Sequence, residues 1–383
     1  MSFLVGSLIK VIIKMSVAKA EKINVKYHFD SIDILRGFAA ISVVVYHVIE
    51  HFNWSSFPIS GPLLWFRFGW MGVDMFFVIS GFVIAMSAFK QLESNGTEKF
   101  IPSFMKRRLR RIVPLHYLTL LVFVIFISPT LLFNDFALNI STHLLFIHNL
   151  NYNLHGAING SNWSLGVEMQ FYIFIALFAG WLKRVPWWVL LLSALTVSYA
   201  WRFAAFSLIS LDQPLGVFKL FVSATQLPGM LDEFAIGILL ARLITSDLGM
   251  KIVSNRRYST ISLMVIATLL TTAALSIYLK YASFWNYPWM VVFFRMLLAS
   301  AFGMIILSLC SLKVTPILKR VLDPLYYCGT ISYGIYLWHL PILLSVKKLD
   351  WLSHGQSLTL VLALTLVMAS LSWHFFEKHF MKK

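Results

Sequence analysis

The sequence has few charged residues for its length. Only 13% of its 383 residues are Asp, Glu, Lys or Arg, whereas soluble domains average about 25%. Hydrophobic residues make up 59% of the chain, and its mean hydropathy is +0.77. This balance excludes an ordinary soluble globular protein. We expect an all-α fold, a polytopic transmembrane helical bundle.

Acidic residues are scarcer than basic ones. The chain has 16 Asp and Glu against 32 Lys and Arg, so its formal charge is +16. The basic residues cluster between apolar segments, as in the cytoplasmic loops of membrane proteins, and not on one soluble face. We therefore expect no nucleic-acid partner.

Cysteine is nearly absent, since Cys310 and Cys328 are the two in the chain. This excludes a disulfide framework and a CxxC metal site. The sequence also lacks a P-loop, a GxGxxG turn, a GxSxG elbow and an HExxH motif. The histidines of segment 134–163 do not have zinc-ligand spacing, so we expect no metal.

Ten apolar segments are each long enough to cross a bilayer, which takes about 20 residues. With ten spans, the connections richest in Lys and Arg share one side, and the positive-inside rule puts both termini in the cytoplasm. We expect a single domain over 1–383, with an amphipathic cytoplasmic segment at 1–30 and the bundle at 31–376. The segments lie at 32–50, 69–88, 113–133, 164–182, 187–209, 227–243, 259–279, 288–311, 329–346 and 356–376.

Two connections carry their own expectations. Segment 210–226 contains Pro214 and Gly216, and we interpret it as holding a short re-entrant helix. Segment 134–163 lacks Lys and Arg, and its middle, at 143–150, predicts a short helix dipping into the membrane. Such a helix is tolerated only where protein covers it.

The first apolar segment carries Arg36 and His47. Eleven residues of helix make three turns plus roughly 20°, so both side chains lie on one face, about 16 Å apart. Ionisable residues inside a transmembrane helix usually face the bundle interior. His47 is either a structural hydrogen-bonding group or a general base for a sugar hydroxyl. Arg36 either pairs with Asp33 or binds a phosphate.

Five basic residues within 106–111 precede the third apolar segment. They either only set the topology or form an electropositive mouth for an anionic cofactor. Arg108 and Arg111 share a helix face, whereas Arg110 points elsewhere. Pro114 is expected in the first turn of the segment, where proline is tolerated.

Polar residues also occur in three other apolar segments. Glu168 lies one turn inside the fourth segment, and we expect an arginine or histidine partner for it. Ser332, Tyr336 and His339 form one polar stripe, which either lines a cavity or makes interhelical hydrogen bonds. Asp74 is expected to have a structural role at the start of the second segment.

Six stretches together resemble the acyltransferase-3 family of bacterial integral-membrane acyltransferases. The resemblance implies a multi-pass enzyme of the bacterial inner membrane. Such an enzyme moves an acyl group, commonly acetyl, from acetyl-CoA at the cytoplasmic side to a hydroxyl of lipopolysaccharide, capsule, exopolysaccharide or a related glycan. The stretches are IDILRGFAAISVVVYH (32–47), GVDMFFVISGFVI (72–84), RRLRRIVPLHY (107–117), NWSLGVEMQFY (162–172), LPGMLDEFAIGILLA (227–241) and ISYGIYLWHLPIL (331–343).

The resemblance also implies roles for residues. The family often has a second acid where Met169 follows Glu168. The implied partners are a lipid bilayer, acyl-CoA and a glycan acceptor. Catalytic roles fall on His47, Arg36 and Glu168, and binding of CoA on Arg36, Arg108, Arg110 and Arg111. Substrate contacts are expected from Tyr46, Asn162, Trp163, Ser332, Tyr336 and His339.

A transporter or flippase for a glycan or a small acid is the rival hypothesis. Polytopic topology and buried charge suit such a protein equally well. Against it, the sequence shows no inverted repeat and no paired broken helices. A structural membrane subunit is a third alternative.

Overall fold

A computed structural model describes residues 30–133, 135–254, 256–312 and 315–381. Within these ranges the chain is helical and contains no strand, which confirms the all-α class. Residues 1–29 of the predicted amphipathic segment lie outside the described residues. The helices are α1 (Asp30–His51), α2 (Met71–Ser94), α3 (Gly96–Ile127), α4 (Phe136–Leu144), α5 (Trp163–Arg184), α6 (Trp187–Leu208), α7 (Gly216–Ala224), α8 (Leu227–Thr245), α9 (Asp247–Ser254), α10 (Arg256–Lys280), α11 (Pro288–Ser311), α12 (Pro316–Thr330), α13 (Ser332–Val346), α14 (His354–Ser372) and α15 (Lys378–Met381).

Among the described helices, eight are long and apolar enough to cross a membrane. They are α1, α2, α3, α5, α6, α10, α11 and α14. Two further helices correspond to predicted spans: α13 is apolar but has only 15 residues, and α8 carries three charged residues. The structure thus supports a multi-pass membrane protein, while ten spans with both termini on one side stay a prediction.

The predicted boundaries of the third span, 113–133, are wrong. The helical run Met71–Val122 is interrupted at Gly96, whose φ of +69° is left-handed, and α3 continues from there. The basic residues 106–111 therefore lie inside α3 and not ahead of it, because Lys and Arg are good helix formers and do not end a helix. Pro114 is likewise inside α3 and not in its first turn.

The two connections differ in outcome. A short helix in 210–226 is confirmed, since α7 occupies Gly216–Ala224. The helix predicted at 143–150 is wrong in its position: α4 ends at Leu144, and only a single 3-10 turn follows, at His148–Leu150. Between them Phe146 has a φ of +58°, a left-handed conformation that no helix can continue through.

Close contact between α2 and α8 forms the centre of the bundle. A Cβ on Gly237 would lie 2.5 Å from the Phe82 backbone nitrogen, and a Cβ on Gly81 would overlap the Phe234 carbonyl. Small residues at such positions let membrane helices approach closely. Phe171 of α5 stacks on Phe234 at a centroid distance of 3.9 Å and closes the same core.

A buried ion pair joins α6 to α8. Both guanidinium Nη atoms of Arg202 donate to the Asp232 carboxylate, at 2.6 and 2.9 Å, and neither side chain has any exposed surface. Arg202 also donates to the Val292 carbonyl of α11 at 2.9 Å. The pair therefore ties three helices together, and its removal is expected to cost the bundle much of its stability.

A second buried charge cluster joins α2, α8 and α11. Arg295 forms an ion pair with Asp74 and lies 3.6 Å from the Glu233 carboxylate. The Trp70 ring lies 5.6 Å from the same guanidinium. Asp74 thus has a structural contact near the start of α2, as expected, but its partner is an arginine of a distant helix.

Candidate functional site

A cavity lies between α1, α2, α3, α5 and α13. Its volume is about 110 Å³. Three arginines and one glutamate are its charged side chains, so the lining carries +3 − 1 = +2. Six residues predicted from the sequence meet here: Arg36, Arg108, Arg111, Glu168, Ser332 and Tyr336. The excess of guanidinium groups makes the cavity suited to an anionic ligand.

Arg108 is held by aromatic rings. Its guanidinium lies 5.4 Å from the Phe104 ring centroid and 5.7 Å from that of Tyr172, and it donates to the Ser87 hydroxyl at 3.2 Å. Within the described residues, its buried Nε has no hydrogen-bond partner. Buried donors usually have an acceptor, so this N–H is available to a ligand in the cavity.

Arg36 combines the two interpretations offered for it. Its Nη1 donates to the Asp33 carboxylate at 3.2 Å, an i, i+3 pair. The same side chain also lines the cavity. The pair is partly exposed, so it contributes little to the stability of the fold. The bond uses Nη1 alone, and the guanidinium has further donors for a second, anionic partner.

Glu168 has hydroxyl partners for its hydrogen bonds, and it interacts electrostatically with Arg36 and Arg108, which agrees with the expected arginine partner. Ser80 donates to its Oε1 at 3.0 Å and Tyr172 donates to the same oxygen at 2.7 Å. The cavity arginines face the carboxylate without a hydrogen bond in the described structure. Glu168 thereby fixes Tyr172, whose ring forms one side of the Arg108 site.

The polar stripe of α13 faces the cavity and the connecting segment before α5. Tyr336 donates to the Ser161 carbonyl at 2.8 Å and accepts from the Ser164 hydroxyl at 2.7 Å. Ser332, a turn earlier, lines the cavity, and its buried Oγ has no partner among the described residues. Both alternatives for the stripe therefore hold, a lined cavity at one end and interhelical hydrogen bonds at the other.

His47 lies beyond the cavity and contacts His339. The His47 Nδ1 and His339 Nε2 atoms are 3.0 Å apart, and the ring planes differ by only 18°. Tyr336 connects this pair to the cavity, since it lines the cavity and its ring centroid is 5.7 Å from that of His339. Neither histidine forms part of the cavity lining.

A proline in α13 leaves a backbone carbonyl free, and the connection before α5 donates a hydrogen bond to it. Pro341 has no N–H, so the Leu337 carbonyl four residues earlier loses its helical donor. The Asn159 amide donates to that carbonyl at 3.0 Å, while Ser161 donates to the Asn159 Oδ1 at 2.7 Å. Residues 159–161 are thus held against the turn of α13 that carries Tyr336.

The other predicted residues lie outside the cavity lining. Tyr46 packs beside His47, with ring centroids 5.4 Å apart. Asn162 is buried, and its carbonyl accepts from His148 at 3.0 Å. Trp163 stacks on His155, and Arg110 is exposed on α3. Their predicted roles in binding stay predictions.

Sequence reasoning missed four residues of this region. Ser80, Tyr172 and Tyr333 line the cavity, and Asn159 orders the connection beside it. Tyr172 stands at i+4 from Glu168, a spacing that identifies a contact on one helix face. The other three depend on contacts between helices, for which the sequence holds no local signal.

Histidines of the connecting segment are buried without charge. Burial lowers the pKa of His143 to about 4 and that of His155 to about 3. His143 stacks on His148 at 4.1 Å, and burial also lowers the pKa of His148. In the unfolded chain a histidine has a pKa of about 6.5, so the folded chain binds fewer protons below that pH. The stability of the segment is full above pH 6.5 and falls as the pH decreases toward 4.

Acidification is therefore expected to lower the Tm in detergent between about pH 6.5 and 4.5, each histidine contributing up to about 1.4 kcal/mol per pH unit. His155→Phe keeps the stack on Trp163 (5.7 Å) and should flatten this dependence. The matched control is His354→Phe, since His354 stacks on Trp54 at 5.3 Å and is exposed. Equal pH dependence in both variants and the wild type would contradict the assignment.

The chain is similar to known proteins over most of its length. Residues 29–377 match the profile of the acyltransferase-3 family, described as an acyltransferase domain. The peptidoglycan O-acetyltransferase OatA of Listeria monocytogenes is 27% identical over 372 residues, 91% of this chain and 55% of the relative. "Putative peptidoglycan O-acetyltransferase YrhL" of Bacillus subtilis is 28% identical over 92% of this chain and 54% of the relative. "Putative membrane-bound transacylase BcsY" of Komagataeibacter xylinus is 29% identical over 91% and 81%. This chain spans about half the length of the first two relatives.

Proposed function

We propose that this chain, which belongs to the acyltransferase-3 family, is a membrane O-acetyltransferase. It transfers an acetyl group from acetyl-CoA to a hydroxyl of a cell-envelope or exported glycan. The names of its relatives support O-acetyl transfer, and one of them acts on peptidoglycan by name. The acceptor class proposed here is accordingly a polysaccharide, with peptidoglycan, lipopolysaccharide O-antigen, capsule and exopolysaccharide as the candidates to test.

The observation that carries the proposal is the arrangement of the cavity. Its lining carries a charge of +2, and Tyr336, which belongs to that lining, also contacts His339, the partner of His47. An acyl-CoA has anionic phosphates at one end and a thioester at the other. The arrangement therefore suits a ligand whose charged part stays near the arginines while its acyl end reaches toward an imidazole.

In the proposed complex, Arg36, Arg108 and Arg111 bind the phosphates of CoA. The unpartnered Nε of Arg108 supports this role, since a phosphate oxygen would supply the missing acceptor. Glu168 holds Tyr172 against Arg108, so its contribution is to position the donor site. We propose ten spans in the inner membrane. Since loops rich in Lys and Arg lie in the cytoplasm, the basic residues of α3 and of the connections on the same side support entry of acetyl-CoA from there.

His47 is the proposed general base. Its Nε2 takes the proton from the acceptor hydroxyl as that oxygen attacks the thioester carbonyl. The carbon–sulfur bond then breaks, and the sulfur leaves with the proton that His47 returns. The products are an acetyl ester and free CoA. In the second route that the sequence left open, His47 carries the acetyl group between donor and acceptor.

The test uses the purified protein in detergent with radiolabelled acetyl-CoA and polysaccharide acceptors, among them peptidoglycan and exopolysaccharide preparations. An O-acetyltransferase releases CoA and moves the label to a base-labile ester on one of the acceptors. The rival transporter would leave acetyl-CoA intact with every acceptor. That outcome, from monodisperse protein, would overturn the proposed function.

A further inference from the structure

We infer that His339 is a positioning residue that fixes the tautomer of His47. The inference rests on the proposed function, because it concerns how the proposed base presents its lone pair. It follows from two hydrogen bonds that lead from the backbone of α13 to His47 on α1, and from three further bonds that hold this part of α13 in place.

The first bond decides the tautomer of His339. Its Nδ1 lies 2.7 Å from the Tyr336 carbonyl oxygen. A backbone carbonyl only accepts, so Nδ1 of His339 is the protonated nitrogen. In a neutral imidazole the other nitrogen then has a lone pair, and Nε2 of His339 is an acceptor.

The second bond lets the tautomer of His339 determine the tautomer of His47. Nε2 of His339 lies 3.0 Å from Nδ1 of His47 and can only accept, so His47 donates through Nδ1–H. The ring planes lie within 18° of each other, which lets this bond run close to both ring planes. The lone pair of His47 is therefore on Nε2. In the part of the chain that the structure describes, this nitrogen makes no hydrogen bond and is free for a substrate hydroxyl.

Three further bonds hold the backbone around Tyr336, whose carbonyl accepts from Nδ1 of His339. The Tyr336 side chain is anchored to Ser161 and Ser164, and the next carbonyl, of Leu337, accepts from Asn159. The turn of α13 that carries His339 is thus held from outside the helix. Its imidazole is fully buried, so it has few alternative orientations.

Loss of His339 would free His47 to rotate or to change tautomer, while the cavity arginines would remain in place. We expect His339→Phe, which keeps an aromatic ring but has no acceptor, to lower kcat by about 10²–10³-fold. The KM for acetyl-CoA should stay within about 3-fold of the wild-type value, because no contact with acetyl-CoA is lost. His339→Gln, whose amide oxygen can accept from His47, should recover about 10-fold of that loss.

A double-mutant cycle separates this role from a structural one. If His339 acts through His47, then His339→Phe made in the His47→Ala background lowers kcat no further. A residue that only packs would lower activity in either background and would also lower Tm. The control is His374→Phe, because His374 is exposed and contacts Tyr327 in another part of the bundle.

The outcomes distinguish the two hypotheses. Wild-type kcat in His339→Phe, with kcat strongly lowered but measurable in His47→Ala, overturns the positioning role and leaves the proposed function intact. Wild-type kcat in His47→Ala overturns the proposed base itself. If His339→Phe does not fold, His339→Gln is the deciding variant. A lower kcat together with a higher KM and a lower Tm contradicts the inference. A lower kcat with unchanged KM and Tm supports it.

Discussion

His47→Gln is expected to lower the kcat of acetyl transfer by about 10²–10⁴-fold, the usual contribution of a general base. Glutamine can still donate to His339 through its amide, so the contact between α1 and α13 is retained. It cannot take a proton from the acceptor hydroxyl. The measurement is release of CoA under saturating acetyl-CoA and acceptor, with Tm recorded on the same preparation.

His51→Gln is the matched control for this variant. His51 lies one turn further along α1, and its ring meets that of His47 edge-on at 6.1 Å. In the described part of the chain it forms no hydrogen bond with His339, so kcat should stay near wild type. A His47→Gln variant that is folded and as active as His51→Gln would show that His47 takes no part in the chemistry.

Arg202→Met is expected to destabilise the bundle by about 3–5 kcal/mol, the cost of leaving one partner of a buried ion pair. Asp232 would be left fully buried with its carboxylate uncompensated, and the bond to the Val292 carbonyl would be lost as well. The free energy of unfolding in detergent, or the Tm, measures the effect. The double variant Arg202→Met with Asp232→Leu should recover part of the loss, because it removes the uncompensated charge.

The exposed pair of Lys183 and Glu93 supplies the comparison. These side chains are 35% and 55% exposed, and an exposed ion pair contributes within about 1 kcal/mol. Lys183→Met should therefore change the Tm little. If Arg202→Met were no more destabilising than Lys183→Met, the buried pair would not hold α6, α8 and α11 together.

The helical class and part of the site could be predicted from local pattern. The 11-residue spacing places Arg36 and His47 on one face, and the i, i+4, i+7 spacing makes the stripe of Ser332, Tyr336 and His339. Both patterns depend only on helix geometry. The structure adds which helices those faces meet, namely the cavity at one end and the histidine pair at the other.

Contacts between distant segments could not be predicted in the same way. The partner of Arg202 is 30 residues away in sequence, and Asn159 meets the Leu337 carbonyl 178 residues away. Glu168 was expected to have an arginine or histidine partner, and Arg36 and Arg108 do interact with it electrostatically, but its hydrogen bonds come from two hydroxyls. A single sequence shows that a buried polar group needs a partner but not which partner the packing supplies.

The start of α3 was misplaced for a different reason. Hydropathy identifies the part of a helix that lies in the apolar layer, so the basic residues 106–111 were read as a boundary. The helix itself begins at Gly96, which is 113 − 96 = 17 residues, or nearly five turns, before the predicted start. This difference matters for the site, because it places Arg108 and Arg111 on a rigid helix beside α2 and α5.

The proposed function requires the arginine-lined cavity to bind acyl-CoA. The most direct measurement is the shift in Tm produced by CoA in wild type, Arg108→Gln and Arg107→Gln, since a ligand that binds only the folded protein raises apparent stability. Arg108 lines the cavity, whereas the neighbouring Arg107 is exposed and bonded to Gln91. We predict that CoA stabilises the wild type and Arg107→Gln equally and stabilises Arg108→Gln much less. Equal stabilisation of all three proteins, or none of the wild type, would contradict the account.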